Sequence, residues 1–134
     1  MRTLRHIPFL AFLLIFYNIV AFSGGSDRPP LDQIWLETGL VSGATLRIAV
    51  SDLIVMFGVV GLYIEIFKAT RPTNLSILDH VLSMVVFVVF LIEFIVVPQV
   101  GRPSFLILTL MSFLDVIAGF TVSIVSARRD IRMS

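Results

Sequence analysis

The sequence predicts an all-α integral membrane protein, a four-transmembrane-helix bundle whose helices run alternately up and down. Of its 134 residues 57% are hydrophobic and only 14% are charged, and the mean hydropathy is +1.02. This balance lies far outside that of soluble domains. Four apolar stretches approach the length of about 20 helical residues that crosses a hydrocarbon core of about 30 Å. Because these stretches occupy most of the chain, we treat residues 1–134 as a single transmembrane domain.

Charge and cysteine content exclude several classes of function. A net charge of +1 and a pI near 8.3 argue against a nucleic-acid partner, which requires clustered cations well beyond this number. The chain contains no cysteine, which excludes disulfides, thiolate metal sites and palmitoylation. The sequence therefore predicts no cofactor, and the bilayer is the first partner that it indicates.

The four predicted helices cover approximately residues 4–23, 45–67, 76–97 and 104–127. A helix is expected for each because it is the single element that satisfies its own backbone hydrogen bonds in lipid. The first stretch is the shortest, and its basic start and the small residues Ala21 and Ser23 also match a cleaved signal peptide. We favour a retained helix, because the apolar run is longer than the usual core of a signal peptide.

The distribution of Lys and Arg predicts the orientation. With the N-terminus inside, the cytoplasmic side carries seven basic residues, Arg2, Arg5, Lys68, Arg71, Arg128, Arg129 and Arg132. The outer side carries three, Arg28, Arg47 and Arg102. Cytoplasmic segments beside membrane spans are enriched in these residues. The sequence therefore predicts a multi-pass protein of the cell membrane with both termini in the cytoplasm.

The first outer loop is predicted to contain a short interfacial helix over approximately residues 31–38. Helical spacing places Leu31, Ile34 and Trp35 on one side of it, and Gly39 is a suitable end. Tryptophan is enriched at the level of the lipid headgroups. We expect this segment to connect the first two spans along the outer membrane surface.

Small residues form stripes on two of the spans. Gly58 and Gly61 lie on one face of the second span, and Ser112 and Gly119 flank Asp115 on one face of the fourth. Small side chains let the backbones of neighbouring membrane helices approach closely. We interpret Gly58, Gly61, Ser112 and Gly119 as helix-packing positions.

Four polar side chains from four spans are the candidate proton- or cation-binding residues. Asn18, Asp52 and Glu93 fall in the outer third of their spans, and Asp115 falls near the middle of the fourth. A carboxylate at the centre of a span costs about 2.5–3.5 kcal/mol on the insertion scale, and such residues often mark ion pathways. The four could converge on one site. In the alternative interpretation Asp115 is a hydrogen-bonded packing contact, and Asp52 and Glu93 reach the outer interface.

The charged residues at the inner ends of the spans fit ordinary structural roles. Glu65 and Lys68 are spaced to pair on one helix, and Asp79 suits the positive end of a helix dipole. His6 and His80 both lie at the inner edge, so no histidine pair is available in the core for haem or a di-iron centre. No metal site is expected, and no nucleophile elbow or His-Glu-x-x-His motif indicates an enzyme.

The sequence thus favours a small membrane protein with a non-enzymatic role. It would act through helix–helix contacts, as an accessory subunit or as a homo-oligomer. The alternative is a small proton- or cation-coupled transporter that uses the intramembrane carboxylates.

Overall fold

The computed structural model describes residues 8–24, 27, 29–69 and 76–133. Several residues used in the sequence analysis lie outside these described residues, namely Arg2, Arg5, His6, Arg28 and Arg71. The described part of the chain is mostly helical.

Four α-helices and one β-hairpin make up the described chain. The helices are α1 (Phe9–Phe22), α2 (Val50–Ala69), α3 (Ser76–Val96) and α4 (Pro103–Met133), and the strands are β1 (Ile34–Gly39) and β2 (Thr45–Ala49). Short 3₁₀ turns cover Pro30–Asp32 and Pro98–Val100.

Helices α2, α3 and α4 are long and apolar enough to cross a membrane. Their apolar segments are Val50–Lys68, Leu78–Val96 and Pro103–Thr121, each 19 residues long. Helix α1 is a shorter apolar helix of 14 residues. The length and composition of the three longer helices agree with the sequence prediction and make this a protein of membranes.

The ends of these helices follow from local sequence. Proline cannot supply a backbone N–H, so Pro98 ends α3, whereas Pro103 fits the first position of α4, where no N–H partner is needed. Asp52 and Asp79 lie in the first turns of α2 and α3, and Lys68 lies in the last turn of α2. Each charge has the sign that the helix dipole favours.

Side-chain contacts fix how the helices lie beside one another. Helix α1 packs on α2, α2 packs on α4, and α4 packs on α3, with a smaller contact between α1 and α3. The Tyr17 hydroxyl hydrogen-bonds the Ser104 hydroxyl at 2.7 Å, so the end of α1 lies beside the start of α4. The Phe9 N–H donates to Glu65 at 2.8 Å, so the start of α1 lies beside the end of α2.

These contacts define two sides of the molecule. We call the side with the end of α1, the β-hairpin and the start of α4 the hairpin side. The opposite side, with the start of α1 and the end of α2, is the terminal side. Both α2 and α4 begin on the hairpin side, so they run parallel to each other.

The segment predicted as an interfacial helix over 31–38 is instead a 3₁₀ turn followed by strand β1, and this part of the prediction is wrong. Strand β1 pairs antiparallel with β2, with Glu37 opposite Arg47. The strands are joined by a turn in which Gly43 has a φ of 92°, a conformation that L side chains rarely adopt. Pairing satisfies the backbone groups that face across the hairpin, whereas the outer edge of each strand has no strand partner.

The hairpin also moves the start of the second helix. The predicted span began near residue 45, but residues 45–49 form β2, and α2 begins at Val50. The Val50 N–H donates to the Gln33 carbonyl at 2.9 Å. The strand thus passes into the helix without an intervening loop.

An aromatic cluster fills the interior on the hairpin side. Tyr17, Phe90 and Phe105 are fully buried. The Phe105 ring lies 5.1 Å from Tyr17, 5.3 Å from Phe90 and 6.4 Å from Phe94, between ring centroids. The outward faces of the helices carry exposed large hydrophobic side chains instead, as expected for surfaces in contact with lipid.

Candidate functional site

The candidate polar residues lie at two different depths. Helix α1 ends at Phe22, α3 ends at Val96 and α2 begins at Val50. With a rise of 1.5 Å per residue, Asn18, Glu93 and Asp52 therefore lie about 3–6 Å from the helix ends on the hairpin side. By the same measure Asp115 lies about 18 Å from the start of α4. The structure therefore separates Asp115 from the other three candidates.

Asn18 and Glu93 form a pair between α1 and α3. The Asn18 side-chain amide donates to Glu93 Oε2 at 2.8 Å and to the Leu14 carbonyl at 2.8 Å. Both donor hydrogens of the amide are thus used within the chain. This pair holds two helices together and leaves the amide no free hydrogen for a ligand.

Asp52 has a different environment and does not join that pair. Its side chain is exposed, and Oδ2 accepts the backbone N–H of Ala49 at 3.0 Å. A short polar side chain that accepts a nearby N–H is typical of the start of a helix. Asp52 therefore stabilises the junction between β2 and α2.

Asp115 is buried between helices, with 6% of the residue exposed. Its carboxyl group hydrogen-bonds the Ser83 hydroxyl of α3, and Glu65 of α2 lies close enough to repel its charge. Two more polar side chains of α4, Thr109 and Ser112, are also buried. The site therefore draws its groups from α2, α3 and α4.

The packing of α2 on α4 explains why Glu65 lies near Asp115. A Cβ atom at Gly58 would come within 2.8 Å of Leu108 and 3.1 Å of Met111, so these residues face one another. Since the two helices run parallel, a step of two turns along each leads from Gly58 to Glu65 and from Leu108 to Asp115.

Glu65 is a site residue that the sequence analysis did not name as a candidate, because its pair with Lys68 and its place on the packing stripe of the second helix gave it structural roles. That pair is present, with Lys68 Nζ 3.7 Å from Glu65 Oε1. The Glu65 side chain is only 11% exposed, and the same oxygen also accepts the Phe9 N–H. Glu65 lies two turns beyond Gly58 on one stripe of α2, and this spacing is the signal that could have identified it.

The four helix-packing candidates are all buried. Gly58 faces Leu108 and Met111, and a Cβ atom at Gly61 would overlap the ring of Phe9. Gly119 lies against the imidazole of His80, where a Cβ atom would come within 2.6 Å of Nδ1. Side chains from other helices of the same chain therefore occupy the space beside each of these glycines.

Two ion pairs between described residues, both outside the spans, lie on the hairpin side. Arg102 pairs with Asp32 of the first 3₁₀ turn, and the hydrogen bond with that carboxylate raises the pKa of the Arg102 guanidinium above its ordinary value. Arg47 Nε lies 3.5 Å from Glu37 Oε1 across the hairpin. Beside this second pair, β2 and the starts of α2 and α4 border a groove of about 320 Å³.

These arrangements limit the chemistry of the described residues. In the part of the chain that the structure describes, no three His, Asp or Glu side chains are grouped as metal ligands. Within the spans the carboxyl of Asp115 is buried, and the partly buried carboxyl of Glu65 lies near it. Comparison of the chain with protein-family models, with curated proteins and with solved structures finds no match.

Proposed function

We propose that this chain is a four-helix, up-and-down membrane protein with a non-enzymatic role. It acts through helix–helix contacts in the bilayer, as an accessory subunit or as a homo-oligomer. Both termini face the cytoplasm of a cell membrane, and the hairpin side faces outwards. The basic residues beside the spans support this orientation.

The observation that carries the proposal is the interior on the hairpin side, which is packed with aromatic side chains. Tyr17 and Phe90 are fully buried, and each packs against the buried ring of Phe105. Close packing of these aromatic rings fills the space between the described helices at that level. The outward helix faces are the surfaces that remain for interaction, and they are apolar.

The test determines how many copies of the chain, and which other proteins, are extracted together in native lipid. The protein is extracted with its surrounding bilayer in a polymer belt and weighed by native mass spectrometry. We expect either two or more copies of the chain or one copy with a partner protein in fixed ratio. Single chains without partner at every protein-to-lipid ratio would contradict the proposal.

Burial of Asp115 favours a second candidate, a proton- or cation-coupled transporter. A carboxyl within a membrane-spanning helix is expensive and is often part of an ion pathway. Here it contacts Ser83 and lies near Glu65, so the candidate site consists of these three residues, and Asn18, Asp52 and Glu93 lie elsewhere.

The two candidates differ in the effect of Asp115→Asn. Asparagine keeps the size and the hydrogen bond to Ser83 but cannot titrate. A transporter would lose pH-driven uptake or proton leak in liposomes while keeping its oligomeric state. A contact protein would give the same low leak with Asp115 and with asparagine. Ser83→Ala, which removes the hydrogen bond but no titratable group, is the matched control.

A further inference from the structure

The groove beside the hairpin combines a charged rim with an apolar wall. Its rim carries Arg47 from β2 and Asp52 from the first turn of α2. Its wall carries Val55 and Met56 from α2 and Ile107 from α4. Its volume of about 320 Å³ lies within the range of small-molecule sites.

The groove lies where the spans begin, so that it faces both headgroups and hydrocarbon. Met56 is 48% exposed and Ile107 is 42% exposed. From the rise of a helix, these side chains lie about 6–9 Å beyond the first residues of α2 and α4. A molecule with a charged end and an apolar tail fits the groove, because its charged end can lie at the rim and its tail against the apolar wall.

The charged groups of the rim retain bonding capacity. Arg47 uses Nε towards Glu37, and its two terminal amino groups make no bond to another described residue. Asp52 uses Oδ2 towards Ala49, and Oδ1 has no described partner. A guanidinium favours phosphate, and a carboxylate oxygen favours an N–H donor with positive charge.

We propose that the groove binds a phospholipid whose headgroup carries both a phosphate and a primary amine, as in phosphatidylethanolamine. The phosphate lies against Arg47, the ammonium donates to Asp52, and one acyl chain follows Met56 and Ile107. This site is distinct from the buried carboxyls of the second candidate function. It makes the β2–α2 junction a lipid-recognition element.

The test compares two lipids with identical chains. The protein is reconstituted with equal amounts of phosphatidylethanolamine and phosphatidylcholine, released into mild detergent, and the lipids retained per chain are measured by native mass spectrometry. Phosphatidylcholine has the same phosphate but a trimethylammonium without N–H donors. We expect phosphatidylethanolamine to be retained roughly two- to five-fold more, the range given by one exposed hydrogen bond, because both headgroups keep a positive charge and only the ammonium has N–H donors. Equal retention by the wild-type protein would overturn the proposal.

Three substitutions locate the site. Asp52→Asn keeps an acceptor for the Ala49 N–H and should abolish the preference between the two lipids. Arg47→Gln should lower retention of both. Ile107→Trp should fill the wall and displace both, whereas Leu106→Trp, at an exposed position outside the groove, should retain the preference. A preference that survives both Asp52→Asn and Ile107→Trp would overturn the proposed site.

Discussion

At the scale of single residues, two polar side chains of α1 hydrogen-bond other helices of the same chain. Asn18 donates to Glu93, and Tyr17 hydrogen-bonds Ser104. Such contacts contribute only about 0.6 kcal/mol on average, but they fix which helix faces meet because a polar group in lipid needs a partner. These pairs therefore specify the neighbours of α1 more than they stabilise it.

The Asn18–Glu93 pair gives a residue-scale prediction. Glu93→Ala removes the acceptor and should lower the free energy of unfolding by about 0.6 kcal/mol and at most about 1.7 kcal/mol. Glu93→Gln keeps an acceptor oxygen and should be closer to the wild type. Unfolding in mixed micelles measures both, and a double-mutant cycle with Asn18→Ala isolates the pair. A coupling energy of zero in that cycle would mean that the hydrogen bond does not link α1 to α3.

At the scale of elements, the sequence predicts the long helices well because an apolar stretch of bilayer length has one satisfactory backbone structure. Helix α3, predicted over 76–97, covers Ser76–Val96. The hairpin was missed because residues 31–38 also fit helical spacing, and their pairing partner β2 was counted as part of the second span. Residues such as Trp35 and Thr45 on either side of the Ser42–Gly43 turn were the β signal.

The hairpin turn gives an element-scale prediction. Gly43→Ala places a side chain at a φ of 92° and should destabilise the hairpin by about 1–2 kcal/mol. Hydrogen exchange at the Leu40 amide, which donates to the Ala44 carbonyl, should accelerate. Gly39→Ala is the matched control, because Gly39 has open space around it and no positive φ. Equal acceleration in both variants would assign the effect to loss of glycine rather than to the turn.

The contact between α1 and α2 gives a second element-scale prediction. A Cβ atom at Gly61 would overlap the Phe9 ring, so Gly61→Ala should lower the stability of the protein by about 1–3 kcal/mol through overpacking. Phe9→Ala in the same chain should relieve that penalty, so the two effects should be far from additive. Thermal unfolding in detergent measures both.

A control for this prediction is Val59→Ile, which adds volume at a position that is 55% exposed. It should leave the unfolding temperature nearly unchanged. If Val59→Ile destabilised the protein as much as Gly61→Ala, the face of α2 that packs on α1 would be wrongly assigned.

At the scale of the whole molecule, the spatial order of the helices differs from their order in the chain. Helix α4 packs on both α2 and α3, and this neighbourhood brings Glu65 towards Asp115. Sequence spacing gives the depth and the face of each polar residue on its own helix, but it does not give which helices are neighbours. The sequence therefore predicted that Asp115 lies deeper than Asn18, Asp52 and Glu93. It did not predict that Ser83 and Glu65 are the neighbours of Asp115.

The proposed orientation gives a prediction for the whole molecule. Because the chain contains no cysteine, single substitutions report accessibility without background. Ser42→Cys in the hairpin turn should react with an impermeant maleimide added to intact cells, and Arg128→Cys near the end of α4 should react only after the membrane is opened. The reverse pattern would place the hairpin side in the cytoplasm.

The contact of Tyr17 with Ser104 and Phe105 has a consequence for the order in which the protein is made. Ser104 and Phe105 follow Tyr17 in the chain by 87 and 88 residues, respectively. At about 5–20 residues per second, the ribosome needs roughly 4 to 18 s to reach Phe105 after Tyr17. During that interval α1 has emerged, but the ring and the hydroxyl against which Tyr17 packs have not been synthesised. Helix α4, synthesised after α1, α2 and α3, therefore completes this cluster, and a chain that stops before α4 leaves Tyr17 without these two partners.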